Sequence, residues 1–446
     1  MTGQLGKQAI VVGAGMGGLA AAAALSSHFD RVLVLDKDTL PDGFSPRVGA
    51  GQSSHIHQLL KGGAASLERL LPGLEAAFYR AGAAELRGGQ DIDVHDFGGL
   101  LPAFDAGFST PSLSRPAYEG VLRARVLELP NVTIRTDASV RRSVVADGRC
   151  TGVELDDGEM LLADLIIDAS GMNAALGQQL VEDGHAEFPT EEIRINVTYV
   201  TGRFAKPAAY RGETKGFFFL PAPPDHHFGL LAPVENEEWV VSLGGRGANV
   251  PPRDLAGFRE YATHYATDDI AKRIRDAEPV ADLKMFRKPY STRRRYDLAK
   301  RWPERLLPIG DTMSTINPTY GQGMSVAALQ AGELANQLAK RSASSVGLDG
   351  ICADFLPPAF AISDAAWSLS VNSDYVYPET EGERPANFAV ARAVAAILRK
   401  LCDTDREFLN FRFRLAHMLE TNAGLREGPL AIKFFTALQG AMSPPG

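Results

Sequence analysis

The run AIVVGAGMGGLAAAAALSSHFDRVLVLD, residues 9–36, decides the fold. Residues 9–12 are apolar and mostly β-branched, as a buried parallel strand requires. Gly13, Gly15 and Gly18 follow at the G-x-G-x-x-G spacing, and residues 19–25 are strong helix formers. A second apolar run, residues 31–35, ends in Asp36. This is the pattern of a dinucleotide-binding strand–turn–helix–strand unit. Gly13 permits the tight turn, Gly15 the approach of a pyrophosphate, and Gly18 the close packing of helix on strand. The helix start at Met16 offers free N–H groups and positive potential to phosphates. Asp36, with Lys37 beside it, is placed for an adenosine ribose. Lys7 and the apolar run behind it also have the outline of a signal peptide, a reading that the glycines, the second strand and Asp36 oppose.

The 446-residue chain is 45% hydrophobic and 22% charged, which suits a soluble globular protein with room for two domains. Its net charge of −8 offers no basic footprint for nucleic acid or an anionic membrane. Cys150, Cys352 and Cys402 stand far apart in no C-x-x-C pair. That excludes a disulfide framework or thiolate zinc site and points to a reducing, cytoplasmic compartment. No run of about 18 residues reads as a membrane span. The expected partner is a small molecule, and the chain a monomer or homodimer.

Beyond Asp36, a loop carries Arg47, Gly49, Gln52, His55 and His57. Arg47 and one histidine are candidates to face the cofactor; equally, both histidines could cap or underlie a helix expected over 57–71. A metal is not expected, because no cysteine or acid pair stands beside them. Residues 67–84 also read as helix, and 88–108 as irregular with short strands. Ser114-Arg115-Pro116 opens a helix over 117–129. Strands at 132–136 and 139–145, then hairpins through 150–162, lead to the buried strand 165–167, which ends in Asp168-Ala169-Ser170-Gly171. From 193 to 243 the texture is that of an antiparallel sheet, followed by helix over 251–278. A second strand–loop–helix unit spans Pro308 to Lys340, with Gly310-Asp311 in its turn.

Four stretches together resemble the single-component (class A) flavoprotein monooxygenases of the para-hydroxybenzoate hydroxylase fold. They are the glycine turn with Asp36, the Arg115 helix, Asp168–Gly171, and Gly310-Asp311 with Pro318, Gly321, Gly323 and Met324. Within that group the chain is most similar to the polyether epoxidase and hydroxylase branch, through Arg47…Gly49…Gln52…His55-Ile56-His57, Ser114-Arg115 and Asn317–Met324. The resemblance implies an α/β fold: an FAD-binding Rossmann-like domain, an inserted antiparallel substrate sheet and a helical C-terminus. It divides the chain into an FAD domain (1–85, 112–182 and 285–345), a substrate domain (86–111 and 183–284) and a helical region (346–446).

It also implies tightly held FAD, NADPH or NADH as co-substrate, and O₂ as oxygen donor. Gly13, Gly15 and Gly18 would hold the pyrophosphate and Asp36 the ribose. Arg47 would lie near the phosphates or flavin edge, Arg115 near the ribityl chain, and Val140 would meet adenine. Asp311 would bind ribityl hydroxyls, with Gly321 to Ser325 giving N–H groups to the ring. Gln52, Asp168 and Pro318 complete the cofactor set, and Arg47, His55 and His57 are the side chains nearest to a catalytic role. The branch usually has an arginine after its Asp-Ala-(Ser/Thr)-Gly; here Met172-Asn173 follow. Phe217, Phe219, Phe228, Leu230, Trp239 and Tyr320 are the expected pocket residues, for an apolar or aromatic metabolite. The same fold also serves prenyl-lipid reductases and Baeyer–Villiger-type oxygen insertion. The Trp-x-Trp-x-x-Pro stretch of flavin halogenases is absent.

Overall fold

The computed structural model describes residues 4–47, 51–96, 99–220 and 222–442; Gly49 lies outside them. A five-stranded parallel sheet runs in the order Leu306–Pro308, Leu165–Asp168, Gly6–Val12, Phe29–Leu35, Val132–Arg135. Its central strand is the one opening the glycine motif, and Val12 pairs with both Asp168 and Leu35. The C-terminal ends of three strands therefore meet beside the turn, where ligands bind in open α/β sheets. The helix Met16–Ser26 is alanine-rich because it is buried on all sides, between the sheet and the long helix Gly323–Ser344.

A seven-stranded sheet forms the second layer, in the order Ser314–Thr315, Lys284–Arg294, Thr190–Ala205, Glu238–Arg246, His227–Val234, Gly216–Phe219, Ile92–His95. All its pairings are antiparallel except the last. One face packs on the helices Leu255–Tyr261 and Asp269–Ile274, burying Phe204, Phe217, Trp239 and Phe258. The other face looks toward the parallel-sheet layer and the C-terminal helices Ile351–Asp374, Phe388–Thr404, Arg406–Ala416 and Pro429–Met442. The fold is the expected α/β arrangement with a helical C-terminus.

The expected helices over 57–71 and 67–84 differ in detail. The first begins only at Lys61, because the backbone N–H of Leu60 is drawn to Ser325 Oγ at 2.9 Å and residues before it stay non-helical. It ends at Leu70, since Leu71 precedes a proline and cannot hold helical geometry; Gly73, at φ 87°, then starts a new helix, Leu74–Arg80. No helix among the described residues is long and apolar enough to cross a membrane.

Candidate active site

The glycine turn is held by backbone contacts that only glycine allows. Gly13 has φ 103°, and a Cβ there would stand 2.4 Å from the carbonyl oxygen of Ala169. Gly13 N–H donates to Leu35 O at 2.7 Å, and Ala14 N–H to Asp36 Oδ2 at 2.6 Å. Asp36 Oδ1 accepts from Asp38 N–H at 2.9 Å, so both carboxylate oxygens are oriented by backbone. Lys37 beside it is exposed, while Ala138 N–H donates to Asp36 O at 2.9 Å and brings the segment leading to Val140 to this edge.

Arg47 reaches into the turn, Nη1 meeting Asp36 Oδ2 at 2.8 Å and Nε meeting Glu119 Oε2 at 3.2 Å. Burial works against its charge, but Glu119, Asp36 and Asp38 outweigh that and hold the guanidinium above its usual pKa. Glu119 also receives Arg115, at 2.6 Å, one helical turn away. This buried carboxylate gathers both arginines at the helix start, and sequence reading missed it. The i,i+4 spacing from Arg115 was the available signal. Ser114 caps the helix and is itself fixed by Glu235, whose two oxygens take Ser114 N–H at 2.8 Å and Oγ at 2.6 Å. Asp168, buried at its strand end, accepts from Ser170 N–H and Oγ; burial pushes its carboxyl pKa up.

At the other end, Gly310 adopts φ 68° and donates its N–H to the buried Gln330 Oε1 at 2.7 Å. Asp311 follows, with Oδ1 3.7 Å from where a Cβ on Gly323 would be, and so faces the start of helix Gly323–Ser344. The loop between is shaped by Asn317, whose Oδ1 accepts from Thr319 N–H at 3.0 Å, and by Pro318, whose carbonyl accepts from Gly321 N–H at 3.0 Å. Asn317 Nδ2 donates to Asp374 Oδ1 at 2.8 Å, and Asp374 takes Arg246 Nη2 at 2.5 Å. Arg246 and Asp374, both buried, thus tie the loop to the antiparallel sheet and to the end of helix Ile351–Asp374. Met324 is packed into the core, and Ser325 Oγ is used by Leu60 N–H.

His55 Nδ1 pairs with Thr201 Oγ1 at 2.7 Å, which pairs with Ser242 Oγ at 2.6 Å; the ring packs edge-on to Tyr199. His57 Nδ1–H donates to the carbonyl of His55 at 2.9 Å. Burial pushes His55 down to about 4; burial and then the Arg115 charge push His57 down to about 3. Both rings are neutral at working pH. Among the described residues no group of three or more His, Cys, Asp or Glu could hold a metal ion. Ser53 Oγ, His55 Nε2, Gln58 Nε2 and Gln322 Oε1 are buried without a hydrogen-bond partner among the described residues. Gln58 faces Gly321 and lines one cavity with Gln322, so these two orphaned amide atoms frame the gap beside the Asn317–Gln322 loop and fit a flat polar group such as a flavin ring.

That loop opens into a cavity of about 1810 Å³, walled by Ile92, Val94, Phe218 and Leu230 of the sheet and by Trp367 and Val371 of the helix. Of the pocket candidates, Tyr320 and Leu230 line it, but Phe217, Phe219 and Trp239 do not. Side chains alternate along a strand, so Phe217 and Phe219 point to the opposite face and pack under the two covering helices; Phe218 between them points in. Trp239 is fully buried on that same far face. Phe228 shares the cavity face with Leu230 but packs on Tyr199 over Gly244, behind the wall. The aromatic content of these strands reads as pocket only if the outer face is assumed bare.

His417, at the floor of the C-terminal helices, is pushed down to about 4 by burial and then by the Lys61 charge. Three histidines thus stay neutral when folded and take up protons near 6.5 when unfolded. Their contribution is complete above pH 6.5 and is lost as pH falls toward 4. The slope is about 1.4 kcal/mol per pH unit for each, or ~4 kcal/mol per unit near pH 5. Thermal melts between pH 4.5 and 7 check this: His417→Asn should flatten the slope by about a third.

The chain matches a family model described as an FAD binding domain over residues 7–349. It is 30% identical over 365 residues to Protein Rv3254 of Mycobacterium tuberculosis, covering 78% of this chain and 77% of that protein. It is 26% identical over 252 residues to the digeranylgeranylglycerophospholipid reductase of Haloferax volcanii, 54% of this chain and 56% of that enzyme. The fold is similar to that of PqsL, described as a probable FAD-dependent monooxygenase from Pseudomonas aeruginosa. The TM-score is 0.60 at 18% identity, over 83% of this chain and 97% of that one. The match spans well over half of the sequence and includes the glycine turn, Asp36 and the Gly310–Ser325 loop, so the chain belongs to the FAD-binding-domain family and is a flavin-dependent oxidoreductase.

Proposed function

We propose that the chain is an NAD(P)H-consuming FAD monooxygenase of secondary metabolism that places one oxygen atom of O₂ into a large, mainly apolar metabolite by epoxidation or hydroxylation. The observation that carries this reading is the opening of the Asn317–Gln322 loop directly into the apolar cavity of about 1810 Å³. Small-molecule sites commonly measure about 300–1,000 Å³, so the substrate is larger than a single aromatic ring. Bound FAD supplies electron transfer from NADPH or NADH and the activation of O₂.

The chain's own residues bind, orient and dry the site. Gly13, Gly15 and the Met16 helix start receive the pyrophosphate, Asp36 the ribose and Asp311 the ribityl hydroxyls. Backbone N–H groups from Gln322 to Ser325, at the start of helix Gly323–Ser344, hold the ring edge, the Gly321 N–H being used by the Pro318 carbonyl. Phe218, Leu230 and Trp367 keep water from the reacting face. Neutral His57, its Nδ1–H already donated, leaves Nε2 as an acceptor toward the cavity it lines. In this reading residues 1–85, 112–182 and 285–345 serve the cofactor, 86–111 and 183–284 the substrate, and 346–446 close the pocket. The similarity to the polyether epoxidase branch supports a long, flexible substrate.

The Haloferax relative favours a second reading, reduction of a prenyl-type lipid in the same cavity. Incubation of the FAD-loaded protein with NADPH, ¹⁸O₂ and a panel of apolar polyenes separates the two. One ¹⁸O atom in the product supports oxygenation; a saturated product with no label supports reduction and overturns the monooxygenase.

A further inference from the structure

Lys288 lies on strand Lys284–Arg294, opposite Val197, which pairs on its other side with Arg246. Cross-strand neighbours share a face, so Lys288 points to the side of the flavin loop that Arg246 supports. The residue is only 9% exposed. Among the described residues, the one polar atom within bonding reach of its Nζ is Met172 Sδ, at 3.7 Å, a weak acceptor. Among the described residues no carboxylate lies within 4 Å of the ammonium. Asp311 is the acid whose field favours its charge, while burial and Arg294 oppose it, and burial dominates. Arg294 is engaged with the carbonyls of Thr312 and Met172, at 3.2 and 2.9 Å.

A buried cation without a counter-charge is costly, and the cost is offset only where another partner arrives. The place is telling. Met172 follows Asp168-Ala169-Ser170-Gly171, the strand end whose Ala169 carbonyl abuts the Gly13 turn. Lys288 is thus a cation held between that strand end and Asp311. We propose that Lys288 is a flavin-contacting residue whose ammonium binds reduced FAD more tightly than oxidised FAD, setting the cofactor's potential. This rests on FAD occupying the site described above. The physical ground is differential binding: the ring gains electron density on reduction, and a desolvated fixed cation favours the more negative state.

The test is the midpoint potential of the FAD-loaded protein in wild type, Lys288→Met and Lys288→Arg, with the melting temperature of each apoprotein. In Lys288→Met the preference for reduced over oxidised FAD should fall at least tenfold, which for a two-electron couple is ~30 mV more negative. Lys288→Arg should keep most of the preference. The Lys288→Met apoprotein should melt higher than wild type, because an uncompensated buried charge is gone. An unchanged potential in Lys288→Met overturns the proposal and leaves FAD binding intact. Should Lys288→Met take up no FAD, a lower apoprotein melting temperature overturns it and a higher one supports it. A wild-type chain that binds no FAD would overturn both.

Discussion

Gly18→Ala unfolds the cofactor turn, with loss of FAD binding and a melting temperature lower by ~3 °C or more. A Cβ on Gly18 would lie 1.8 Å from the carbonyl oxygen of Gly13, 2.9 Å from its carbon and 3.3 Å from Val11 Cγ1. All but the last are backbone atoms of the strand end and turn, so no side-chain rotation relieves the clash. Helix Met16–Ser26 must lift off the central strand. It is packed on both sides: a Cβ on Gly17 would lie 3.4 Å from Ala327 Cβ and 3.6 Å from Ile309 Cγ2. Overpacking of a rigid core costs ~3 kcal/mol, which for a chain of 446 residues corresponds to ~3 °C. Gly15→Ala supplies the contrast. Its backbone, φ −78° and ψ −175°, suits alanine, and a Cβ there would meet side-chain ends rather than backbone, Arg47 Nη2 at 3.3 Å and Glu119 Oε1 at 3.9 Å. That variant should melt within ~1 °C of wild type yet bind FAD at least tenfold more weakly, because the added methyl stands on the face open to the pyrophosphate. Differential scanning fluorimetry and FAD titration of the two apoproteins separate a glycine needed for folding from one needed for the ligand.

What could be read from the sequence follows from how local each signal is. The strand, turn, helix and closing acid of residues 9–36 lie within one continuous segment, and so do Gly310-Asp311 and the loop to Ser325. Their shapes rest on backbone geometry, which spacing encodes. Asp374, Arg246 and Lys288 carry no such local pattern, and Glu119 carries only its i,i+4 spacing from Arg115. Asp374 is 57 residues from Asn317 and 128 from Arg246, and only the packing of three separate elements brings them together. Phe218 shows another limit. Alternation says that Phe217 and Phe219 share a face but not which face is the pocket. That choice depended on the two short helices between Leu255 and Ile274, which cover the far side of the sheet.

Asp374→Ala should lower stability by about 3–5 kcal/mol, because it leaves the guanidinium of Arg246 buried and uncompensated. Arg246 is 3% exposed on its side chain, stacks on Tyr377 at 4.3 Å and has Nε and Nη1 without partners already, so Asp374 is its anion. The same substitution takes the acceptor from Asn317 Nδ2 and the contact from Ser370 Oγ, at 3.3 Å, freeing the loop that leads to Gly321. Two losses are thus combined in one variant, a charge left in the core and a flavin loop left unheld. Arg246→Met/Asp374→Leu separates them. Replacing both members of a buried ion pair by apolar residues of similar size restores most of the fold's stability, but it gives nothing back to Asn317. The double variant should therefore melt within a few degrees of wild type while FAD binding stays at least tenfold weaker. Recovery of FAD affinity along with stability would mean that the pair holds the core alone, and that the loop finds its shape from Asn317, Pro318 and Gly321 without it.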